Sequence, residues 1–111
     1  AGMFESAKEF SEGMGTKEWG ICVESDQYNT VSPEVQEFVL SSMLKRVDVS
    51  VYKVIESQVG SAFVAGNVVY DLSVDGVGYS TTGGFVDDIV DQIEEFKAAI
   101  IAGDIEVPTE P

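Results

Sequence analysis

The sequence has 111 residues, one domain's worth or a piece of a larger one, and at 44% apolar it can build a core. Twenty acidic residues against six basic ones give a formal net charge of −14, which argues against nucleic acid as a partner and disfavours adsorption to anionic lipid. There is no histidine and Cys22 is the only cysteine, which removes the commonest general base, an internal disulfide and any CxxC metal site. The opening Ala1-Gly2-Met3-Phe4-Glu5 has neither a basic nor a long apolar region. It reads as a chain whose leader was removed, or one that starts partway through something longer. No apolar run approaches the ~18–20 residues of a membrane span.

Taken in order, residues 3–13 predict a helix with Met3, Phe4, Ala7 and Phe10 on one side, ended by Gly13-Met14-Gly15. Residues 19–23 form a short apolar run of strand length, expected to be buried on both faces, with Cys22 as a small structural residue within it. A helix followed by a buried strand is half of a βαβ crossover and suggests a parallel sheet. Residues 24–33 are polar and loop-like. Residues 37–44 are β-like, a helical turn being the alternative. Residues 46–59 have helical spacing, with Val47, Val51, Val54, Ile55 and Val59 on one face and Gly60 closing. Residues 64–72 are valine-rich and read as a strand. A turn at Asp75-Gly76 and a short return segment at 77–80 follow. After a loop at 81–84, residues 85–102 predict the clearest helix, capped by Gly103, with Pro108 preventing continuation and 109–111 as a tail.

Several clusters have ordinary explanations. Asp71 to Gly76 begins like a calcium loop, but Thr82 stands where the bidentate glutamate belongs and no helix precedes it. A turn at the end of a strand is the reading preferred. Asp87, Asp88 and Asp91 suit the positive end of a helix better than a metal. Two places have functional alternatives. Glu24 to Tyr28 follows the apolar run at 19–23, and ligands of open α/β sheets bind at the carboxyl ends of strands; the alternative is a solvated turn. Lys45 and Arg46 are a third of all basic residues; they either hold a carboxylate or polar ligand atom, or form a plain surface pair.

At these places the sequence resembles the BMP (basic membrane protein) family of substrate-binding proteins. Cys22-Val23-Glu24-Ser25-Asp26-Gln27 is similar to the family's Gly-Val-Asp-Ser-Asp-Gln. Ser42, Lys45, Val47, Asp48, Val51 and Tyr52 follow its Ser-x-x-Lys-x-Val-Asp-x-x-Val-Tyr pattern in register. Tyr70, Leu72, Gly76, Val77 and Gly78 match its glycine-bounded strand, and Ile100, Ile101, Gly103, Ile105, Val107 and Pro108 match its closing helix. The opening Gly2 to Lys8 is also similar. Glu24 replaces an aspartate and Cys22 a glycine.

The resemblance implies an α/β fold, the C-terminal portion of a type I periplasmic-binding-protein fold, over residues 1–108: a parallel sheet flanked by helices, from an incomplete two-lobe protein. It implies a non-enzymatic solute receptor of an ABC importer, extracytoplasmic and lipid-anchored through an upstream segment. Such a receptor captures a purine nucleoside between two lobes and delivers it to an ABC permease. Carried over by position, Asp26 holds the ribose hydroxyls, Lys45 reaches the ligand from a strand-to-helix junction, and Gly2 lies where backbone approaches it. No cofactor, metal or nucleic acid is expected. The rival readings are a nucleoside-sensing signalling domain of the same fold and an acidic interaction domain without a small ligand. Lacking most of one lobe, the chain is expected to expose apolar surface and self-associate.

Overall fold

The computed structural model describes residues 2–108; the tail at 109–111 lies outside the described residues. Three helices and three strands follow in the order α1 (Gly2–Met14), β1 (Gly20–Glu24), β2 (Val39–Lys45), α2 (Val47–Val59), β3 (Val77–Tyr79) and α3 (Val90–Ala102). The sheet order is β1-β2-β3. β1 and β2 are parallel, with Glu24 opposite Leu44, whereas β2 and β3 are antiparallel, with Lys45 opposite Val77. The architecture is therefore α/β with a mixed sheet, not a purely parallel one.

The core gathers where α1 crosses β1 and β2. Phe4, Val35, Phe38 and Val39 are buried together, and Ala7, Cys22, Tyr28 and Val31 pack against them. Of the expected α1 face, Phe4 is buried, Ala7 half-buried, and Met3 and Phe10 are exposed. A backbone N–H of Glu18 donates to Ser11 Oγ at 2.8 Å, and a Cβ on Gly20 would meet the Phe4 ring at 2.5 Å. Going from Glu18 into β1, later residues thus lie beside earlier helix residues. α1 runs antiparallel to β1, and its first residue, Gly2, is on the side toward which β1 travels.

Three expectations are corrected. β1 is not buried on both faces: Ile21 is 62% and Val23 57% exposed, while Gly20 and Cys22 turn toward α1. β1 lies at the sheet edge with a helix on one face only, so alternate residues meet solvent. Residues 64–71 form no strand, because they pair with no neighbouring strand, and Leu72–Val74 is a single 3-10 turn. The helix expected from residue 85 starts as α3 at Val90, after a turn at 81–84 and a 3-10 turn at Asp87–Ile89. At 37–44 both readings hold in part: a 3-10 turn at Gln36–Phe38 leads into β2.

The return from residue 70 to β3 depends on close backbone packing. Asp75 takes a left-handed conformation (φ 55°), and a Cβ on Gly76 would overlap the backbone carbonyl of Tyr70. Gly76→Ala is therefore expected to lower stability by about 1–3 kcal/mol, since overpacking against main chain cannot be relieved by a side-chain rotation. A shift in the urea midpoint checks this; an unchanged midpoint would show that the turn opens freely.

α3 is joined to β3 by side chains. Tyr79 Oη donates to Glu94 Oε1 at 2.8 Å, and that hydrogen bond holds the phenol above its ordinary pKa. Lys97 adds ion pairs to Glu94 at 3.7 Å and Asp75 at 3.8 Å. Gly103, at φ 83°, caps the helix as expected. By contrast, Val47, Val51, Val54, Ile55 and Val59 on α2 are all exposed. The Cα radius of gyration is 17.5 Å, against about 13 Å for a compact domain of this length. Among the described residues no helix is long and apolar enough to cross a membrane.

Candidate functional site

β1 and β2 are parallel neighbours ending in register, so Asp26 and Lys45 emerge at the same, carboxyl end of the sheet. Glu24 closes β1 with φ 83°, a left-handed backbone that a glutamate adopts at a cost of about 1–3 kcal/mol. Its aspartate counterpart in the BMP pattern tolerates that region better. The reversal turns the chain out of the sheet just before Ser25 and Asp26.

Asp26 caps the 3-10 turn Gln27–Asn29. Its Oδ1 accepts the backbone N–H of Tyr28 at 3.3 Å, and its Oδ2 accepts Asn29 Nδ2 at 2.8 Å and Thr82 Oγ1 at 2.5 Å. The bond to Thr82 spans 56 residues of sequence and fastens the turn at 81–84 to the end of β1. A chain of hydroxyls supports it from below. The backbone N–H of Gln27 donates to fully buried Ser42 at 3.1 Å, Ser41 Oγ donates to the Ser80 carbonyl at 2.8 Å, and Ser80 Oγ accepts the Thr82 N–H at 3.0 Å. Among the described residues no side-chain polar atom is buried without a partner. Thr82 and Ser80 belong to no recognition motif; Ser42 opens the Ser-x-x-Lys pattern, which marks the position but not its bond to Gln27.

Lys45 is exposed and makes no ion pair among the described residues. Its neighbour Arg46 does: Nε and Nη2 each reach Asp48 at 3.2 Å, and that hydrogen bond holds the Asp48 carboxyl below its usual range. Lys45 lines a cleft of about 240 Å³ with Ser50, Tyr70, Gly76 and Val77. No hydrogen bond or ion pair joins Lys45 to Asp26 among the described residues; the partners of Asp26 are Tyr28 and Asn29 on its own turn and Thr82 on the turn at 81–84. Gly2 is exposed at the start of α1, and nothing lies within 4 Å of where its Cβ would be. The three residues thus have different neighbours. No group of three or more His, Cys, Asp or Glu is placed to hold a metal among the described residues.

An aromatic group lies beside this region. Tyr28 is 6.4 Å from Phe85, and Phe85 is 4.9 Å from Trp19 between ring centroids. Gly83 (φ 94°) lets the turn press against these rings, since a Cβ there would lie 2.8 Å from Tyr28 and 3.0 Å from Phe85.

No family model matches this sequence. Over 98% of its length the chain superposes on 37% of an ABC transporter solute-binding protein from Aeropyrum pernix K1, with a TM-score of 0.62 and 26% identity. It is similar to part of a solute-binding protein. That class is non-enzymatic and takes small ligands. The CD4+ T-cell-stimulating antigens of Listeria monocytogenes and Listeria innocua are each 30% identical to it over 99% of the chain. The chain spans about a third of the length of these curated relatives.

Proposed function

We propose that this chain is the C-terminal portion, over residues 1–108, of an extracytoplasmic solute-binding protein of the BMP family. In this reading the whole protein captures a purine nucleoside between two lobes and hands it to an ABC permease, anchored by lipid through an upstream segment. The observation that carries the proposal is the alignment of nearly the whole chain, in sequence and in fold, with about a third of larger proteins, one of them a solute-binding protein. The BMP motifs of the sequence supply the finer family and the nucleoside.

Capture of this kind needs convergent polar groups on a hinged scaffold and no nucleophile or metal. Asp26 would accept hydroxyls of the sugar and Lys45 donate to a polar ligand atom, with Gly2 bringing backbone close. The decisive experiment is calorimetric titration of the product of the whole reading frame that encodes this chain, with adenosine, guanosine, inosine and free ribose. Saturable binding of a nucleoside, with ribose alone far weaker, is expected. No heat from any nucleoside would overturn the nucleoside assignment.

One observation favours a second reading, an acidic interaction domain without a small ligand. The Asp26 carboxylate already accepts three hydrogen bonds, and it is not among the residues that line the Lys45 cleft.

A further inference from the structure

Beside the Asp26 turn, in the aromatic group already described, one cation is surrounded by rings. Lys17 Nζ lies 4.6 Å from the Trp19 ring centroid, 5.3 Å from that of Phe38 and 5.6 Å from that of Phe85. Phe38, 5% exposed, is the floor; Trp19 and Phe85, inclined at 59°, are the walls. At the rim Glu37 Oε2 accepts a hydrogen bond from Lys17 at 3.0 Å.

The spacing is wide for a bare ammonium, which is small and can approach a ring more closely. A methyl carbon touches a ring carbon at about 3.5–4.0 Å, which places the nitrogen of a trimethylammonium group roughly 4.5–5.5 Å from each ring. Lys17 is also a weak occupant. Its ammonium prefers water, and its pair with Glu37 is exposed on both sides (39% and 61% of the side chains), where ion pairs contribute little. A quaternary ammonium has no N–H to hydrate, and aromatic walls with a carboxylate at the rim are the surroundings that recognise it. The net charge of −14 favours the approach of any cation.

We propose that Trp19, Phe38 and Phe85, with Glu37, form a binding site for a small quaternary ammonium solute, which Lys17 fills until the solute displaces it. The site is independent of the nucleoside reading.

Trp19 is the only tryptophan, so its emission reports on the cage directly. The full chain and its Lys17→Ala variant are titrated with choline chloride, with sodium chloride at matched ionic strength, and with 3,3-dimethyl-1-butanol, the uncharged isostere of choline. Lys17→Ala, having lost the internal competitor, is expected to saturate at a choline concentration about tenfold or more below that of the unaltered chain. Adding Phe85→Ala to it removes the response, and neither sodium chloride nor the neutral alcohol reproduces it. An equal response to the alcohol, or equal half-saturation with and without Lys17, overturns the proposal. A measurement on the unaltered chain needs no variant to fold: choline should move the Lys17 side-chain NMR signals out of the shielding of the rings. Lys17 signals that stay in place at saturating choline overturn the displacement.

Discussion

Phe4→Ala is expected to cost about 3–5 kcal/mol, enough to leave much of the chain unfolded at room temperature. The core is small. Phe4 is 2% exposed and is the one buried side chain of α1; with Val35, Phe38 and Val39 it fills the space between that helix and the β1–β2 pair. Removing its ring leaves α1 without its main apolar contact. It also opens a cavity beside Gly20, whose lack of a side chain exists to admit that ring. A domain has only about 5–15 kcal/mol in reserve, and a chain with a 17.5 Å radius of gyration has less buried surface than a compact one. Phe10→Ala is the matched control: the same chemistry, on the same helix, at a residue 53% exposed. It should change stability by no more than about 0.5 kcal/mol. Urea denaturation followed by circular dichroism checks both. Equal losses in the two variants would mean that α1 is not held through Phe4.

That contrast marks the boundary of what periodicity reveals. The 3.6-residue spacing places Met3, Phe4, Ala7 and Phe10 on one side of α1, but it does not say how much of that side the rest of the molecule covers. The same holds for α2, whose apolar stripe is regular and nevertheless exposed along its whole length. The valines of 64–72 mislead for a related reason: β-branched residues signal a half-buried pleated surface, and a strand also needs a neighbour to pair with. None is available there, and the chain instead folds into the 3-10 turn that leads to the tight approach of Gly76 to Tyr70. β1, β2 and the glycine at the end of α3 were legible because each depends on local chemistry. The bond between Asp26 and Thr82 was not, since 56 residues separate its partners and neither belongs to a motif that names the other. Nor was the Lys17 cage, built from segments near residues 17, 38 and 85 that only the tertiary fold brings together.

A comparison of Asp26→Ala with Thr82→Val separates the two roles open to the Asp26 carboxylate. An ionised carboxylate offers about four acceptor positions. The Asn29 and Thr82 donors fill Oδ2, while Oδ1 has one long bond, from the Tyr28 N–H, and a position to spare. One ligand hydroxyl can therefore bind without rearrangement, and a second vicinal hydroxyl must take the place of Thr82 or Asn29. If Asp26 holds the sugar, Asp26→Ala in the product of the whole reading frame should weaken nucleoside binding by at least ~1.5 kcal/mol, more than about tenfold, because charge-assisted hydrogen bonds are lost. Thr82→Val keeps the shape and removes one competing donor. It should lower thermal stability by about 0.5–1.5 kcal/mol yet leave affinity unchanged or tighter. If Asp26 is only the clasp between the end of β1 and the turn at 81–84, both variants lose stability and neither loses affinity. Calorimetry and thermal denaturation on the same samples distinguish these outcomes, because a clasp acts through Thr82 and a ligand acceptor acts in spite of it.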